Sequence, residues 1–115
     1  MGDPLSISEE PIDQGVLVVV AGEVDIASAP TLRQRLDSII SRGIAVLVVD
    51  ILGVSFIDST GLGALIGAAK QIQGTGGTMR VVVAEPRMLK LFEIAGISEL
   101  FPVVSTREEA AHPGA

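Results

Sequence analysis

Residues 56–63, Phe56-Ile57-Asp58-Ser59-Thr60-Gly61-Leu62-Gly63, place an acid, two hydroxyls and two glycines directly behind one of the most apolar stretches of the chain. Upstream, Ala45 to Val49 (AVLVV) is a continuous run of the kind found in strands buried on both faces, and a second apolar step carries it past Asp50 to Gly53 into Phe56 and Ile57. Downstream, Leu62, Leu65, Ile66, Ala69 and Ile72 recur at helical spacing until Gly74, Gly76 and Gly77 stop them. The quoted residues are therefore a strand-to-helix junction. Asp58 or Ser59 stands at the helix start, where backbone N–H groups lack intrahelical partners and a capping oxygen is welcome.

The same alternation extends in both directions. Val16 to Ala21 (VLVVVA) and Arg80 to Ala84 (RVVVA) read as further buried strands. Leu5 to Glu9 reads as an additional strand, joined to Val16 to Ala21 through the turn-rich segment Pro11 to Gly15, and Pro102 to Ser105 as a short last strand. A surface helix begins near Ser28 to Thr31, with Pro30 in its first turn, and ends at Gly43. It buries Leu32, Leu36, Ile39 and Ile40 and leaves Arg33, Arg35, Asp37 and Arg42 free to face water. Met88, Leu91, Phe92 and Ala95 mark a third helix after Pro86, with Gly96 as a left-handed cap, and Arg107 to Ala111 a short fourth before a tail at His112 to Ala115. Strands alternating with helices predict an α/β layer with a mixed, mostly parallel sheet of four to five strands, an antiparallel first strand and about four helices.

Composition narrows the function. The chain has 115 residues and 48% hydrophobic content, enough for one core. Its formal net charge of −6 repels phosphate backbones and anionic membrane surfaces, and with three Phe and no Trp or Tyr it offers no platform for stacked bases. Nucleic acid and membrane are thus not expected as partners. The absence of cysteine excludes disulfides and thiolate metal sites and fits a reducing cytoplasm. Ser59 fails as a hydrolase nucleophile: it is not in a Gly-x-Ser-x-Gly elbow, and the single histidine, His112, lies in the tail. No resident cofactor and no enzymatic activity are expected.

Two readings of the acids compete. Asp50 at the end of a central strand, with Glu23 and Asp25 after another, could hold magnesium in the manner of a phosphoaspartate receiver, although no lysine follows the Arg80 to Ala84 strand to face an acyl phosphate. Alternatively Glu23 lies in a solvated loop in which Asp25 helps to start the first helix. The glycines also ask for an explanation, since Gly61, Gly63 and Gly67 each cost on the order of 1 kcal/mol inside a helix. Gly63 and Gly67 share a face that suits either a partner's backbone or the protein's own neighbouring helix.

Gly22-Glu23-Val24-Asp25, the stretch FIDSTGLGALIGAAKQI and Gly76-Gly77 before a valine strand together resemble the STAS domain of bacterial anti-sigma factor antagonists, over roughly Leu5 to Ala110. The resemblance implies one STAS domain over residues 1–115, with its core at about 5–110 and residues 111–115 as a loose tail. It implies that Ser59, directly after the motif aspartate, is phosphorylated by a partner that is both anti-sigma factor and serine kinase, with ATP used by that kinase. The dephosphorylated form would bind the anti-sigma factor and free the sigma factor, and a PP2C-type phosphatase would restore it. The implied partner surface comprises Glu23, Asp25, Asp58, Thr60, Gly61, Gly63 and Gly67. Preferring Ser59 to Thr60 rests on the resemblance; by chemistry alone either hydroxyl remains open. A STAS scaffold or accessory subunit of a signalling or lipid-transport complex is the alternative.

Overall fold

The computed structural model describes residues 2–111. Five strands form one sheet in the order β1-β2-β3-β4-β5: Ser6–Ile12, Gly15–Val24, Val46–Ile57, Thr78–Val82 and Val103–Val104. β1 runs antiparallel to β2 and every other pair is parallel. The helices are α1 (Ala29–Ile40), α2 (Ser59–Gly74), α3 (Pro86–Ile94) and α4 (Arg107–Ala111), with a short 3-10 turn at Ile97–Glu99 that the periodicity does not separate from α3.

The apolar runs become strands because both sheet faces are covered where they lie. On one face Val16, Val18, Val20, Leu47, Val49 and Ile51 pack against Leu32, Leu36 and Ile39 of α1, Leu62, Leu65 and Ile72 of α2, and Met88 and Phe92 of α3. Burying each such side chain contributes about 1.5–3 kcal/mol, so this layer dominates the fold's stability. On the other face Leu17, Val48 and Val82 pack against Ala110 of α4. Beyond α4 that face is open, and Leu52 and Phe56 are 50% and 47% exposed.

Several expectations are corrected. The hairpin turn is only Asp13-Gln14, with Gln14 at φ 66°, and Pro11 belongs to β1, where an edge position tolerates its missing N–H. β3 is one strand of 12 residues: the step at Asp50 to Gly53 is absorbed, and the register shifts between β2 and β3 accommodate the irregularity. Asp50 therefore lies within the strand and not at its end. Arg33, Arg35 and Arg42 do face water, but each is also paired: Arg33 with Asp37 at 2.7 Å, and Arg35 and Arg42 with Glu9 of β1 at 2.7 and 2.8 Å. Those two guanidinium groups, Arg42 foremost, hold the Glu9 carboxyl below its ordinary pKa. Ala95 is exposed at the end of α3, and Ala111 is helical and not part of the tail. Gly96 adopts φ 68°, the left-handed cap expected of it. The tail at His112 to Ala115 lies outside the described residues.

Candidate functional site at the start of the second helix

Ile57 closes β3 and Asp58 turns the chain into α2. Its extended backbone (φ −108°, ψ −172°) and its carboxylate make it the N-cap, which settles the choice between Asp58 and Ser59. One oxygen, Oδ1, accepts from the N–H of Thr60 and of Gly61, both at 3.0 Å, and from the Thr60 hydroxyl at 2.5 Å. These bonds to the ionised form, the Thr60 hydroxyl first and the Gly61 N–H second, hold the Asp58 carboxyl below its ordinary pKa. A smaller contribution comes from the backbone N–H of Ile26 across the neighbouring loop.

That loop is fixed against the junction. The Asp58 N–H donates to the Val24 carbonyl, and a Cβ on Gly61 would lie 2.6 Å from Ile57 Cγ1 and 2.9 Å from the Val24 oxygen. Gly61 is thus required for close packing of the helix start on the strand ends. Gly67 is also covered, since a Cβ there would strike the Arg33 guanidinium of α1. Gly63 is different: it is exposed, and a side chain there would meet nothing within 4 Å. Of the two glycines assigned to a shared face, one is covered by the protein's own helix and one faces outward.

Between the starts of α1 and α2 lies an open groove of about 370 Å³, lined by Ile26, Ala29, Pro30, Arg33, Thr60, Gly63 and Ala64. Sequence reasoning assigns Ile26, Pro30 and Arg33 to no site. Ile26, 75% exposed, is legible as a large apolar residue in a turn flanked by Asp25 and Ser28.

Glu23 lies within β2 and not in a solvated loop, Asp25 lies in the turn that follows, and both have local duties. Asp25 Oδ1 accepts from the N–H groups of Ala27 and Ser28 and from the Ser28 hydroxyl at 3.0–3.1 Å, so Asp25 holds the turn that leads into α1, whose N-cap is Ser28. The Glu23 carboxylate lies against the backbone of Gly2. Neither carboxylate is bonded to Ser59.

The receiver reading at Asp50 is overturned. Asp50 is 2% exposed, within β3 opposite Val19 and Val82, and its carboxylate takes the Arg107 Nε–H at 2.5 Å and the Leu52 N–H at 2.8 Å. Glu23 pairs with Phe56 much further along β3. Among the described residues no three His, Cys, Asp or Glu side chains are grouped to share a metal ion.

Ser59 and Thr60 are both exposed, but their hydroxyls differ. Thr60 Oγ1 is committed to Asp58, whereas Ser59 makes no side-chain hydrogen bond among the described residues. The described residues place no general base on the Ser59 hydroxyl.

Residues 8–110 match the STAS domain family. The chain is 33% identical to the anti-sigma-B factor antagonist of Bacillus subtilis over 84% of its length and 87% of the relative's. It is 31% identical to the anti-sigma-B factor antagonist of Listeria monocytogenes over 95% of both chains. The crystal structure of an anti-sigma factor antagonist from Mycobacterium paratuberculosis superposes with a TM-score of 0.86 at 28% identity, covering 94% of this chain and 92% of that one. On the order of its strands, the junction at Asp58 and these matches, the chain belongs to the STAS domain family.

Proposed function

We propose that this chain is an anti-sigma factor antagonist whose binding is switched off by phosphorylation of Ser59. The observation that carries the reading is the pairing of an exposed, unbonded serine hydroxyl with the start of α2, beside a groove and an outward-facing glycine. The partner is an anti-sigma factor with serine kinase activity, working with ATP in the cytoplasm. In the transfer, Ser59 Oγ attacks the γ-phosphorus, the bond to the β,γ-bridging oxygen breaks, ADP leaves, and the hydroxyl proton passes to a base of the kinase. A PP2C-type phosphatase returns the chain to its binding form.

The physics suits a switch. The phosphoryl group brings about −1.5 to −2 charges. At a helix N-terminus the dipole favours such a charge by typically 0.3–1 kcal/mol, so the fold tolerates it. At a docked interface the same charge has to be desolvated next to Asp58, which costs several kcal/mol when it is poorly paired. Binding is lost without unfolding.

The test is the affinity of Ser59→Ala and Ser59→Asp for the anti-sigma factor, measured by calorimetry. Ser59→Ala binds constitutively and Ser59→Asp binds roughly a hundredfold more weakly, the ratio given by about 2.8 kcal/mol. Equal affinities of the two variants would defeat the reading.

A further inference from the structure

We infer that Asp58 is a positioning residue that selects Ser59 over Thr60 as the phosphoacceptor, by holding the Thr60 hydroxyl in a hydrogen bond of its own. The inference rests on the switch at Ser59 and deepens it. Two adjacent hydroxyls, both exposed, are equivalent to a kinase that recognises only local sequence. In the folded chain they are not equivalent. Thr60 Oγ1 donates to Asp58 Oδ1 at 2.5 Å, and that same oxygen is anchored by the Thr60 and Gly61 N–H groups, so it cannot swing away without uncapping α2.

Transfer to Thr60 would require two losses together. The proton of its hydroxyl would have to leave Asp58 for the kinase's base, ending a charge-assisted bond. The product would then set a phosphoryl dianion against a carboxylate held ionised at hydrogen-bond distance, and like charges that close oppose each other strongly. Ser59 meets neither obstacle, because it is exposed and its hydroxyl takes no partner among the described residues. The N-cap thus has a second role, because the acid that follows the strand also withholds the competing hydroxyl.

The experiment incubates the full chain with ATP and host-cell extract and maps phosphoryl groups by fragment mass, for the native chain and for Asp58→Ala. Asp58→Gly, which a helix N-cap tolerates and which offers no side-chain acceptor to Thr60, replaces Asp58→Ala if circular dichroism shows that variant unfolded. In the native chain Ser59 carries the label. In the Asp58 variant both residues carry it, with Thr60's share rising by roughly tenfold, the scale of one charge-assisted hydrogen bond. A merely structural cap would lower stability and leave the map unchanged. Label on Ser59 alone in the folded variant overturns the inference, as does equal label on Thr60 in the native chain. A folded variant labelled at neither residue also overturns it, because Asp58 is then needed for transfer itself. A native chain unlabelled at both residues in an extract with active kinases sinks the switch at Ser59 as well, so the two failures are told apart.

Discussion

Asp50 and Asp58 belong to the same strand and its exit, and both follow apolar residues, yet they serve opposite ends of the molecule's work. Asp50 is buried on the face covered by α4, and its carboxylate is paired with Arg107, a residue 57 positions away in sequence. The Asp58 carboxylate is partly exposed and, apart from the small contribution of Ile26, bonds to groups within three residues of itself. The buried acid is satisfied by tertiary structure and ties the last helix to the sheet. The partly exposed acid is satisfied locally, which leaves the surface around it free for a partner. A charge taken out of water has to be matched by a specific group, whereas a solvated one can be left half engaged.

The largest effect is expected at the buried end. Arg107→Ala leaves buried Asp50 with the Leu52 N–H but no cation and should cost about 2–3 kcal/mol in urea denaturation, below the usual range for a broken buried pair because Arg107 is half exposed. Combining Arg107→Met with Asp50→Leu should recover most of that loss, and phosphorylation of Ser59 should be unchanged in both. A change in Ser59 labelling would show that the two regions are coupled after all.

The glycines of α2 sharpen the contrast at the exposed end. Gly61→Ala drives a methyl into the Val24 carbonyl and Ile57, and overpacking of this kind costs about 1–3 kcal/mol. Gly63→Ala meets nothing and should raise stability by about 0.5–1 kcal/mol through helix propensity. If Gly63 is kept for a partner, the same substitution weakens binding to the anti-sigma factor while the Tm rises. Higher Tm with unaltered affinity would remove Gly63 from the docking surface.

Acid titration gives the smallest effect. The pKa of Asp58 is depressed in the folded chain, so its contribution is fully present above the ordinary carboxylate range and is lost as pH falls through the depressed value. The difference in Tm between the native chain and Asp58→Ala, a few degrees at neutral pH, should shrink toward zero under acid conditions. A gap that persists there would mean that capping by Asp58 does not depend on its charge.

What is readable before folding follows from local rules. β-branched runs specify the strands around Val16, Ala45 and Arg80, and helical periodicity specifies α1 and α2. Gly96 and the Pro86 helix start are backbone constraints that sequence states directly. The junction at Asp58 is equally legible as a position where an acid or hydroxyl caps a helix. The STAS motif there points to Ser59 through resemblance, while residue chemistry leaves Ser59 and Thr60 level.

Distinguishing them requires the fold. Which hydroxyl Asp58 holds depends on the turn's geometry, and the groove beside it depends on α1 packing near α2. The pairing of Asp50 with Arg107, the Arg33 side chain over Gly67 and the clamp of Glu9 by Arg35 and Arg42 all join residues from different elements. Periodicity along one segment carries information about that segment's own faces. Whether a face meets solvent, a neighbouring helix or a buried charge is decided only when distant segments are brought together, and at this site that decision separates the free hydroxyl of Ser59 from the occupied one of Thr60.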